Sequence, residues 1–293
     1  MAALLSVDDV RLDAGGVPAV DGLTVETTAD RVVIVGAARA LFEAVSGMVK
    51  PVRGSVRVRG LTAVEAMTRG LVAGAPLDPA MPADWTAVEY ATWSARLTGL
   101  AKSEARARAT AALERLGLRA EARWPLGRAP LAARRATVVA AAIATGARTL
   151  VLEDPTASLD DEASHALAQR LLAALEGREW LLFAPRAPLV SELVASCGEA
   201  LVVAGSTCVD RGAPVVLAAR ARRYATFATG ATDVLAEKMT ALGARIEQMV
   251  TGPGSARFVV ELADGATTRQ LFACAAEAGA VVVELRPIAR AFA

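Results

Sequence analysis

The sequence is poor in the residues that metal-dependent and redox chemistry rely on. It has one histidine, His165, and three cysteines, Cys197, Cys208 and Cys274, whose odd count and wide spacing suit neither a metal cluster nor a disulfide framework. The expected state of these thiols is the reduced one of a cytoplasmic protein. His165 falls on a predicted helix, where a surface or packing role is expected, so histidine-based metal or nucleophile mechanisms have little to work with. Charge of one sign is also lacking. Lys and Arg number 32 against 31 Asp and Glu, for a net charge of +1, without the basic excess that neutralises nucleic-acid phosphates. Long apolar runs are missing as well: the longest, VVAAAIA at 138–144, falls far short of the roughly 20 residues that span a bilayer. The opening MAALLSVDD has no basic region and meets two aspartates early, so it does not read as a secretory leader.

What is present is a hydrophobic share of 54% over 293 residues, enough for one large domain and one small one. The chain divides near residue 220. Before it, short apolar strands alternate with helical stretches in the pattern of an α/β domain. Strands are predicted at 4–11, 22–27, 31–35, 54–59, 148–153, 179–184, 199–204 and 207–210, and helices at 40–49, 86–98, 103–116, 132–145, 160–175 and 189–195. From 221 to 293 the predicted order is strand, helix, strand, strand, helix, strand, with the turn TGPGS at 251–255, which suggests a small α+β ferredoxin-like βαββαβ sandwich. The basic AARARR at 218–223 reads as a solvated linker edge.

Two stretches carry chemical information. RVVIVGAARALFEAVSG at 31–47 reads as a buried strand, a glycine and a helix start, the setting of a phosphate loop, yet it has one glycine where several are needed and no lysine. RTLVLEDPTASLDDEASHALAQRL at 148–171 runs from a hydrophobic strand into two acids, a proline-led turn and a fresh helix. With GMVKPVRGSVRVRG at 47–60, GAPLDPAMPADWTAVEYATWSARLTGL at 74–100 and the tail through LRPIARAF, these stretches resemble the ATP-binding cassette (ABC) ATPases. Within that family they resemble the ATP-binding subunits of two-component bacterial exporters that carry a C-terminal accessory domain. The resemblance implies an α/β, ABC-type nucleotide-binding-domain fold over 1–220, a RecA-like core with a helical subdomain at about 78–135, and the accessory domain over 221–293.

Against the family's pattern the chemistry is depleted. Glycines let backbone N–H groups wrap phosphates, a lysine reaches the outer ones and a Ser or Thr holds magnesium. From Gly36 to Gly47 this loop is about four residues shorter than the family's, with only Arg39 as a cation. The position that stacks on adenine falls at about Ala14, the glutamine that senses the γ-phosphate at Leu77, and the histidine after the next strand at Arg186. The signature loop reads APLAA at 129–133, where Pro130 and larger side chains replace glycine's backbone access. The paired acids stand in reversed order, Glu153 then Asp154. The expectation is a pseudo-ATPase: no catalytic residue, no metal site, and ATP and magnesium binding weak or lost.

In the family each ATP is sandwiched between one subunit's phosphate loop and its partner's signature loop. A chain deficient in both completes no site, as a homodimer or as a heterodimer with an intact ATPase. The SLD turn, Ser158, Leu159 and Asp160, which in the family packs across the dimer interface, is intact. Trp85, Trp93 and Glu89 lie in the stretch that in the family meets the permease, where an aromatic is an interface anchor; the alternative is that Trp93 is core and Trp85 a half-buried loop residue. Trp124 and Trp180 read as packing residues. The resemblance thus implies a non-hydrolysing subunit with a structural or regulatory role in a membrane transporter or motility-type complex. It would be cytoplasmic, peripheral at the inner face of the membrane, and partnered by a permease, an active ABC ATPase, or both. Two alternatives stand beside it: an ATPase with an unorthodox site built from Arg39, Glu153 and Asp154, and a regulatory protein whose C-terminal domain senses a small ligand.

Overall fold

The computed structural model describes residues 2–185 and 191–288. Elements are numbered in chain order. Strands β1 (Leu5–Ala14) and β2 (Val17–Glu26) form a hairpin closed by Gly15 and Gly16, whose φ angles of 59° and 83° suit a two-residue primed turn. With β4 (Arg53–Val58) and β5 (Leu61–Thr62) they make an antiparallel sheet of order β2-β1-β4-β5. The helix α2 (Ala63–Thr68) follows at once, its start fixed by a capping box between Thr62 and Glu65.

The central sheet has the order β10-β9-β3-β8-β7-β6, from β3 (Arg31–Val35), β6 (Val72–Ala75), β7 (Thr149–Glu153), β8 (Glu179–Ala184), β9 (Glu199–Ala204) and β10 (Thr207–Gly212). From β9 to β6 all pairs are parallel; β10 is antiparallel at the edge. RVVIV, TLVLE and EWLLFA are near-continuous apolar runs because this sheet is covered on both faces. Val32, Ile34, Val151, Leu181 and Phe183 share a core with α1 (Ala38–Val45) and the antiparallel sheet. Val33, Val35, Leu150, Leu152 and Leu182 face the other side, against α5 (Leu131–Ala144) and α6 (Asp161–Ala174).

On that second side α3 (Ala87–Arg96) and α4 (Lys102–Arg115) pack with α5 through alanines. Ala91 and Ala95 on α3, and Ala105, Ala109 and Ala112 on α4, repeat at three- and four-residue spacing and are buried. Side chains this small let helix backbones approach closely. The short helices α7 (Glu192–Ala195) and α8 (Pro214–Ala219) border the sheet.

The last elements are β11 (Arg223–Gly230), α9 (Thr232–Ala241), β12 (Arg245–Gly252), β13 (Ser255–Glu261), α10 (Thr268–Ala278) and β14 (Ala280–Ile288). They form an antiparallel sheet of order β12-β13-β11-β14, the ferredoxin-like arrangement, around a core of its own that includes Leu235, Met239, Phe258, Val260 and Leu271.

Several elements differ from the sequence reading. The helix expected at 40–49 spans Ala38–Val45, starting two residues after its strand. Val72–Ala75 and Pro214–Ala219 were not anticipated: VAGA has weak strand propensity and is placed by parallel pairing with β7. Trp180 is core, but Trp93 and Trp124 are each 47% exposed, against the packing roles considered for them. Residues 189 and 190 of the helix expected at 189–195 lie outside the described residues. Among those described, no helix is long and apolar enough to cross a membrane.

Candidate nucleotide site

Only Gly36 and Ala37 stand between β3 and α1. Gly36 has φ 113°, and a Cβ on it would lie 1.8 Å from the carbonyl oxygen of Val203 on β9, so only glycine fits where the chain leaves the sheet. Its N–H donates to the Ala184 carbonyl (3.3 Å), and the Ala38 N–H donates back to the Gly36 carbonyl (2.6 Å). Two amides at the turn are therefore already engaged. Ala37 caps α1 without a side-chain hydrogen bond, and Ala38, Ala40 and Leu41 turn into the core.

Arg39 is the polar residue of that first turn, and its guanidinium is engaged. Nε donates to Oε1 of Glu43 (2.7 Å), one helical turn on, and Nη1 donates to both oxygens of Glu153 (2.7 and 2.8 Å). The bond to Glu153 holds the Arg39 guanidinium above its ordinary range. Glu153 ends β7 with its side chain buried, and its Oε2 also accepts the backbone N–H of Leu77 (2.9 Å). The Leu77 carbonyl in turn accepts from Nη1 of Arg135 on α5, whose Nη2 reaches Oδ2 of Asp78 (3.1 Å). One polar chain thus joins the turn after β3, the end of β7, the segment after β6 and the first turns of α5.

Asp154, the next residue, has φ 26°, a conformation that costs on the order of 1–3 kcal/mol unless its surroundings impose it. Here they do: its N–H donates to the Phe183 carbonyl (3.0 Å), its carbonyl accepts from the Ala157 N–H (3.0 Å), and its Oδ1 accepts from the Thr156 hydroxyl (3.1 Å). Burial pushes the Asp154 carboxyl up from its ordinary value, opposed by the Thr156 bonds and the charge of Arg135. Ser158 is also left-handed, at φ 60°, Leu159 packs on the core, and Oδ1 of Asp160 accepts the Ala163 N–H (2.8 Å) as the N-cap of α6.

The structure therefore brings together Gly36, Arg39, Leu77, Glu153 and Asp154. Ala14 lies exposed at the β1–β2 hairpin, outside this chain of bonds, and Arg186 lies outside the described residues. At 129–133, Pro130 is the N-cap of α5, with no side-chain cap and no acid in the first turn. Glu89 serves a capping box, its Oε2 accepting both the N–H and the hydroxyl of Thr86 at 2.8 Å. Trp85 is half-buried and meets Trp93 edge to face, with ring centroids 6.0 Å apart, and Tyr90 adds a third ring 6.3 Å from Trp93. His165 is exposed and pairs with Glu192 through Nδ1 (2.9 Å). Sequence reasoning missed Arg135 and Asp78. The signal was available: in LAARRATVVAAAIA, Arg135 interrupts a helix buried nearly all round, and a buried guanidinium requires partners. Among the described residues no group of three or more His, Cys, Asp and Glu could hold a metal ion.

No protein-family model matches the sequence, and no curated protein matches it. Solved structures do match. One is cbiO1 from Clostridium perfringens, described as part of the ABC transporter complex cbiONQ, with TM-score 0.64 at 18% identity over 83% of this chain and 97% of that one. A nucleotide-free ATP-binding cassette from an ABC transporter gives 0.61 at 14% identity, over 72% of this chain and 91% of that one. The fold is that of an ATP-binding cassette. A bacterial Atm1-family ABC exporter with ATP bound gives 0.59 at 17% identity, over 75% of this chain and 40% of that longer one. At these identities the cassette likeness speaks for the fold.

Proposed function

We propose that this chain is a cassette-fold subunit that does not hydrolyse ATP and acts as a structural or regulatory member of a membrane transport or motility-type complex, paired with an active ATPase, a permease, or both. The observation that carries the reading is the Arg39–Glu153 pair beside a two-residue turn. The cation that would meet a phosphate and the acid that would meet a magnesium ion neutralise one another. The turn adds no lysine ammonium, no hydroxyl and no second glycine, and these residues do not fit a magnesium triphosphate. A charged hydrogen bond contributes about 1.5–3 kcal/mol, so three fewer weaken nucleotide binding by roughly three powers of ten or more.

Two surfaces support an assembly role. The turn before α6 keeps Ser158, Leu159 and Asp160, the SLD residues that pack across the dimer interface in the resembling family. The exposed Trp93, edge to face with Trp85 and beside Tyr90, gives α3 an aromatic surface of the kind that anchors interfaces. The likeness to cassettes described as parts of transporters points the same way. The test is steady-state ATP hydrolysis by the full chain alone and mixed with an intact cassette ATPase, with complex formation followed by sedimentation. No hydrolysis alone, with a heterodimer in the mixture, is expected. Magnesium-dependent hydrolysis that disappears in Asp154→Asn would overturn the reading in favour of an unorthodox active site.

A further inference from the structure

A second feature lies on the other side of the Leu77 backbone. Residues 77–83, the Leu126–Gly127 turn and the start of α5 enclose a cavity of about 130 Å³, lined among others by Asp78, Met81, Gly127, Arg134, Arg135 and Val138. The Arg135 side chain is 5% exposed. Its two terminal nitrogens are used, but Nε of Arg135 and Nε of Arg134 are both buried with no hydrogen-bond partner among the described residues. Two guanidiniums and one carboxylate, that of the largely exposed Asp78, line the cavity. Behind them, the buried Asp154 carboxyl also feels the charge of Arg135. The N-terminus of α5 adds positive potential, because this 14-residue helix begins at Pro130 with neither a side-chain cap nor an acid in its first turn. Two buried guanidinium N–H donors without a partner among the described residues, beside an uncapped helix start, suit an anion.

We propose that this cavity is a binding site for one small oxyanion, a carboxylate, phosphate or sulfate group held between Arg134 and Arg135. Its size decides the class of ligand. Pockets for whole small molecules run roughly 300–1,000 Å³, so about 130 Å³ admits one anionic group and excludes a nucleotide. The planar fork of an arginine suits such a group. The site is separate from the Arg39–Glu153 pair, and it stands whether or not the chain hydrolyses ATP.

The test is thermal unfolding of the full chain in sodium phosphate, sodium sulfate and sodium acetate, each against sodium chloride at matched ionic strength. A saturable rise of about 2–4 °C over chloride is expected for the anion that fits. Arg134→Gln should abolish the rise, and Arg119→Gln, a change at an exposed arginine paired with Glu114, should leave it unchanged. Should Arg134→Gln fail to fold, Arg134→Lys keeps the charge and should raise the half-saturating concentration several-fold. A larger rise with acetate assigns the site to a carboxylate, the group a partner's acidic side chain would bring; a larger rise with phosphate or sulfate assigns it to a free tetrahedral anion. Equal midpoints in all four salts, or a rise that survives in Arg134→Gln, would overturn the proposal.

Discussion

The turns that follow β3 and β7 leave the same edge of one parallel sheet, two strands apart, and have been built in opposite ways. The first is two residues long: its Gly36 amide goes to the sheet, and the first amide of α1 turns back onto the Gly36 carbonyl. The second keeps seven residues before α6, with two left-handed non-glycine positions, the first of them, Asp154, held by hydrogen bonds to Phe183, Ala157 and Thr156. What separates them is whether their residues have work besides holding a ligand. Asp160 caps a helix, Leu159 packs against the core and Glu153 accepts three hydrogen bonds from two donors, so each contributes to stability by itself. The lysine, hydroxyl and extra glycines of a phosphate loop would contribute nothing to this turn without a phosphate.

The short turn depends most on Gly36. Gly36→Ala sets a Cβ against the Val203 carbonyl in backbone that disfavours any side chain, and we expect it to cost about 3 kcal/mol or more, or to prevent folding, in denaturant unfolding. Gly15→Ala, with open space around it, should cost about 1–2 kcal/mol from its left-handed backbone alone. Next comes Arg39→Ala, which leaves the buried Glu153 carboxylate with the Leu77 amide as its remaining partner; a loss of about 1–3 kcal/mol is expected in the same assay. Asp160→Ala should cost about 1 kcal/mol through the lost cap, and Asp160→Asn much less. The smallest effect is a pH dependence. Burial raises the folded-state pKa of Asp154, so the folded chain holds this proton more tightly than the unfolded chain does. That contribution to stability is full below the usual carboxylate range and is lost as pH rises through the raised value. Unfolding of Asp154→Asn against wild type should show the variant gaining relative stability across that rise and levelling off above it.

Most of the sheet was legible because its strands announce themselves: RVVIV, TLVLE, EWLLFA and EALVVA are apolar runs that only two-sided burial explains. The C-terminal sandwich was legible from alternation and a glycine-rich hairpin. VAGA was not, because what places it is pairing with β7; the helix at Pro214–Ala219 offered only the proline at its first position and otherwise rests on contact with β10. At the candidate site, the missing phosphate-loop residues could be read directly. That Arg39 and Glu153, 114 positions apart, bind each other could not, because sequence spacing carries no information about which side chains meet across a sheet. Arg135 marks the intermediate case: its burial follows from the helix pattern, but its hold on the Leu77 carbonyl needs the fold.

If the Arg39 cation and the Glu153 acid hold each other in place of a nucleotide, equilibrium binding of ATP with magnesium to the full chain should show it. No saturable binding is expected up to about 1 mM, the level at which roughly 4 kcal/mol of binding free energy would register. Saturable, magnesium-dependent binding in the micromolar range that is lost in Arg39→Ala would contradict it, because Arg39 would then be leaving Glu153 for a phosphate.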